Sequence, residues 1–130
     1  MVTNSSGRSD DRAVEAVEKY LEWSEEQLFA ALGAELVGGG LGLGGEDQDE
    51  NERFARKWFS RNVDELRSKI CFTPQAQGLM GATGDRTVEV ATIAELLSEA
   101  TSLGAHPSML VSVLIARMGL TMFCRDATPR

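Results

Sequence analysis

The run Asp49-Glu-Asn-Glu-Arg-Phe-Ala-Arg-Lys-Trp-Phe-Ser-Arg-Asn-Val-Asp-Glu-Leu-Arg-Ser-Lys-Ile70 places apolar side chains at Phe54, Trp58, Phe59, Val63, Leu66 and Ile70. These positions line one face of a 3.6-residue period, so a long amphipathic helix is expected over 49–70. Asp49, Glu50 and Glu52 suit the positive end of its dipole, and Arg67 and Lys69 the negative end. Other helices follow on both sides of it. Ala13, Val14, Val17, Tyr20 and Leu21 predict a first helix over 10–22. Ser24 with Gln27 makes a capping box for a second, with Leu28, Phe29 and Leu32 inward and Gly33 as its expected stop.

Beyond Ile70, Thr73-Pro74 reads as a cap with a first-turn proline, opening a short helix to Leu79. The glycines at 78, 81 and 84 make 78–86 a loop, and Thr87–Val90 has the composition of a strand with nothing to pair with. Thr92 with Glu95 caps a helix expected to reach Leu103, ended by Gly104. A last helix runs from Pro107 to Met118 and is apolar nearly all round, the mark of a central buried element. Leu120, Met122 and Phe123 after Gly119 are expected to cover the core. The reading is an all-α fold, a compact bundle of five to six helices.

The chain has 130 residues, the usual size of one domain, so one domain is expected in preference to a two-domain enzyme. A single helical domain is expected over 9–124, with disordered tails at 1–8 and 125–130. Within it, Gly38–Gly45 holds six glycines in eight residues, and the next seven residues hold five acids. Glycine loses the most backbone entropy on ordering and packed like charges repel, so a flexible linker is expected over 36–49. Gly40-Leu-Gly-Leu-Gly-Gly45 matches the letters of the phosphate-cradling fingerprint but lacks the preceding strand. The longest apolar stretch, Met109–Ala116, is far short of the ~20 residues that span a bilayer. The polar N-terminus lacks the layout of a secretory signal, and a cytoplasmic protein is expected.

Charge is divided unevenly. Residues 1–52 carry 3 basic and 13 acidic side chains, while 53–130 carry 10 and 7. The overall net charge of -7 argues against the whole chain as a nucleic-acid binder. Candidate partner-binding residues are the basic Arg53, Arg56, Lys57 and Arg61 and the acidic Glu15, Glu18, Glu22 and Glu25. The two sets are each other's natural counter-surface, within the chain or across a dimer. One His cannot supply the two Glu-x-x-His pairs of a carboxylate-bridged bundle metal site, so no metal or other cofactor is expected.

Cys71 and Cys124 form no CxxC pair and read as two free thiols, with a Cys71–Cys124 bridge as the alternative because both follow a helix end. A catalytic thiol would need His106 beside one of them, held by a third group, and no spacing indicates this.

The closing helix running into Arg117-Met-Gly-Leu-Thr-Met-Phe-Cys124 resembles small accessory proteins encoded in bacterial defence operons. The resemblance implies a role beside a larger assembly and assigns no residue a function. Three readings follow. The first is a non-catalytic helical interaction module, an accessory or adaptor subunit that binds a protein partner or itself. The second is a small subunit contacting a nucleic-acid backbone through 53–69. The third, and weakest, is a thiol enzyme.

Overall fold

Phe123, Leu28, Leu32, Ile93, Leu97, Leu110 and Ile115 are fully buried and come from four different parts of the chain, which sets the order of packing. The computed structural model describes residues 15–38, 48–80 and 86–127. Among them are seven helices and no strand. Helix α1 covers 15–21. It is followed by α2 (Glu25–Gly38), α3 (Gln48–Ile70), α4 (Pro74–Met80), α5 (Arg86–Ala100), α6 (Ala105–Met118) and α7 (Leu120–Cys124). The all-α expectation holds. The count exceeds six because a bend at 22–24 parts α1 from α2, and Gly119, at φ 99°, parts α7 from α6.

Helix α6 is the centre. Leu110 through Ala116 are all buried, and α2 and α5 pack against it. Around it the aromatic rings stack at angles, Phe29 edge-on to Phe59 at 5.9 Å and Phe59 tilted to Phe123 at 6.5 Å. Such geometries set the positive ring edge against a negative face.

Two caps expected from the sequence are present atom by atom. Ser24 Oγ accepts from the Gln27 N–H at 3.1 Å while Gln27 Oε1 accepts from the Ser24 N–H at 2.8 Å. Thr73 Oγ1 accepts from the Ala76 N–H at 3.2 Å and donates to the Ile70 carbonyl.

Four expectations are corrected. Gly33 does not stop α2, which continues to Gly38. Its bare Cα is where α3 crosses, since a Cβ there would lie 2.6 Å from the Asn51 carbonyl carbon. Residues 36–38 and 48–49 are accordingly helical, and the rest of the expected linker lies outside the described residues. Thr87–Val90 is helical, and Thr92 sits inside α5 instead of capping it. Val90, Ile93 and Leu97 bury at helical spacing, and that packing overrides β-propensity. The helix stops at Ala100, short of Leu103.

The free thiols are the fourth correction. Cys71 and Cys124 form a disulfide, with Cα atoms 5.6 Å apart and a sequence separation of 53. Cys71 directly follows α3 and Cys124 ends α7, so the bond straps α7 to the core beside buried Phe123. Arg67 adds to the strap. Its Nε donates to the Phe123 carbonyl at 2.8 Å and its guanidinium lies over the Phe123 ring. Of the expected tails at 1–8 and 125–130, residues 125–127 continue as a turn whose Ala127 N–H donates to the Cys124 carbonyl at 3.1 Å and whose Ala127 packs against the core, and the rest lie outside the described residues.

Candidate interaction surface

Helix α3 buries Asn51, Ala55, Phe59, Leu66 and Ile70, a stripe shifted from the one its apolar letters suggest. Phe54 is consequently 46% exposed, and Trp58 and Val63 are only partly buried. The shift follows from Gly33, since α2 approaches closest at Asn51 and so draws that side of α3 inward.

At about 100° per residue, Arg53, Lys57 and Arg61 fall in one sector of about 80° beside Phe54. All three are exposed, and none has an ion-pair partner among the described residues. Arg56 differs. Its Nε meets Glu52 at 2.7 Å and its Nη1 meets Glu25 at 3.1 Å, with the guanidinium 4.5 Å from the Phe29 ring centre. The hydrogen bond to Glu52, with Glu25 adding to it, raises the guanidinium pKa above its ordinary value. Arg56 and Glu25 therefore join α3 to α2 inside the chain. Glu15, Glu18 and Glu22 are exposed at the other end of the acidic segment.

A second cluster was not legible beforehand. His106 Nδ1 lies 3.1 Å from Glu35 Oε2, and its Nε2 lies 2.9 Å from the Tyr20 hydroxyl. With the Nδ1 proton directed at the carboxylate, Nε2 accepts from Tyr20. Tyr20 also stands edge-on to Trp23, whose carbonyl accepts from Arg117. The order carboxylate, imidazole, hydroxyl is that of an activated nucleophile. Here it spans three helices at the surface, with the His106 side chain 45% exposed, and it links α1 and α2 to α6. Tyr20 and His106 are 86 residues apart, and no local pattern announces their meeting.

Neither cysteine stands as a free thiol beside His106 among the described residues. Both sulfurs are bonded to each other, and both imidazole nitrogens face oxygen atoms. Among the described residues no group of three or more His, Cys, Asp or Glu could hold a metal ion, and no helix is long and apolar enough to cross a membrane. Comparison with protein-family models, characterised proteins and solved structures finds no match for the chain.

Proposed function

We propose that this chain is a non-catalytic helical interaction module, an accessory or adaptor subunit of a larger assembly. One observation carries the reading. On α3, Arg56 is fully engaged within the chain while Arg53, Lys57 and Arg61 stand exposed and unpaired among the described residues, with Phe54 beside them. A cationic row gives a partner its orientation and speeds encounter, and an exposed aromatic supplies an apolar anchor. The test is co-purification of the full chain from its native cell, beside an Arg53→Ala/Lys57→Ala/Arg61→Ala variant. Equal recovery of the same partners by both proteins would sink the reading.

A second reading, contact with a nucleic-acid backbone, is favoured by the same exposed Phe54, which offers a stacking face beside phosphate-binding cations. In that case the triple alanine variant reduces the slope of log affinity against log salt by about 2–3. An unchanged slope rules it out. The disulfide supports a setting more oxidising than the cytoplasm, where thiols are kept reduced. Thiol trapping in intact cells tests this, since a cytoplasmic resident would be trapped with two free thiols.

A further inference from the structure

We infer that the acidic surface meeting the α3 row is that of a second copy of this chain, which presents its own Glu15, Glu18 and Glu22. The inference rests on the interaction-module reading and names its partner. Glu15, Glu18 and Glu22 are exposed and have no ion-pair partner among the described residues. Glu15 and Glu18 lie about one turn apart on α1, and Glu22 follows at the bend, its N–H donating to the Lys19 carbonyl at 3.1 Å. Arg53, Lys57 and Arg61 occupy a sector of about 80° and a length of about 12 Å. The two sets thus offer the same number of charges, opposite in sign.

Within one chain the acidic segment and α3 touch at Glu25–Arg56, 3.1 Å. That ion pair engages Glu25 and Arg56 and leaves the two exposed sets without an ion-pair partner among the described residues. A chain that carries one acidic and one basic set of equal size is self-complementary. A two-fold arrangement that lays the acidic set of each copy on the basic row of the other forms every pair twice. Phe54, beside the basic row, becomes covered in the same step. Rim ion pairs contribute little each and are screened by salt, so the dimer is expected to be weak, fast and salt-sensitive.

The experiment is sedimentation equilibrium of the full chain from micromolar to several hundred micromolar, at low and at high salt. Wild type should dimerise with concentration at low salt and dissociate in about 1 M salt, where screening acts within about 3 Å. Arg53→Glu/Lys57→Glu/Arg61→Glu and Glu15→Lys/Glu18→Lys/Glu22→Lys should each weaken dimerisation at least about tenfold. Mixed together they should recover a heterodimer, because both reversed rows then meet their opposites. Circular dichroism verifies that each variant is folded. A wild type that stays monomeric, a reversal that dimerises like wild type, or folded reversals that fail to rescue each other would overturn the inference. If wild type is monomeric yet the alanine variant loses a co-purifying protein, the second-copy partner falls and the interaction reading stands.

Discussion

Gly33 of α2 and Asn51 of α3 meet backbone to backbone, so closely that a methyl group on Gly33 would overlap the Asn51 carbonyl. The pair is where the two most extensively packed helices cross, and Asn51 is itself buried. Gly33→Ala should therefore push α3 outward and cost about 3 kcal/mol, at the upper end of overpacking effects. Gly78→Ala in α4 is the control, since nothing lies within 4 Å of the added carbon. That change should raise stability by up to about 1 kcal/mol through helix propensity. Urea denaturation of both variants checks the contrast, and a Gly33→Ala protein as stable as wild type would refute the close crossing.

Reduction of Cys71–Cys124 opens a constraint across 53 residues. Chain-entropy arguments put its contribution at about 4 kcal/mol, an upper value because the unfolded chain keeps some structure. The midpoint of thermal unfolding should fall markedly in a dithiol reductant. Cys71→Ala/Cys124→Ala should show the same lowered midpoint with or without reductant. A wild-type midpoint indifferent to reductant would mean that the strap contributes nothing.

Two serines one turn apart on α6 should respond in opposite directions. Ser108 Oγ is buried and has no hydrogen-bond partner among the described residues, whereas Ser112 Oγ donates to the Ser108 carbonyl at 2.6 Å. A buried unpaired hydroxyl carries its desolvation penalty uncompensated. Ser108→Ala should gain about 1 kcal/mol, and Ser112→Ala should lose about 0.5–1 kcal/mol. Equal losses from both in chemical denaturation would contradict this.

On α7 the partition is between neighbours. Phe123 is fully buried against Phe59 and Arg67, and Met122 is 54% exposed. Phe123→Ala should cost about 3–5 kcal/mol and Met122→Ala less than about 0.5 kcal/mol. Amide exchange across 120–124 in the Phe123→Ala protein should rise well above that of the rest of the fold. Uniform protection would show that the disulfide alone holds the segment.

Much of the fold is legible in the residues. The capping box at Ser24 and Gln27 and the Thr73–Pro74 start appear as read, because caps depend on side chains three residues apart. The central place of α6 follows from its apolar letters, broken between Met109 and Ala116 only by Ser112. Arg56 and Arg53 look alike in the sequence, yet one is locked between Glu52 and Glu25 and the other is exposed and unpaired among the described residues. Phe54 looks like core and is half exposed, since Asn51 and Ala55 take the contact with α2.

Periodicity and capping alone determined that the chain is helical and where most helices begin, because those signals arise within one or two turns. Which glycine ends a helix and which admits a neighbour was decided only when α2 met α3. The same holds for the pairing of Cys71 with Cys124 and for the clasp of Tyr20, His106 and Glu35, all joined across more than fifty residues or between separate helices. Contacts of that range depend on how several buried faces settle against one another at once, and no short stretch of chain contains that information.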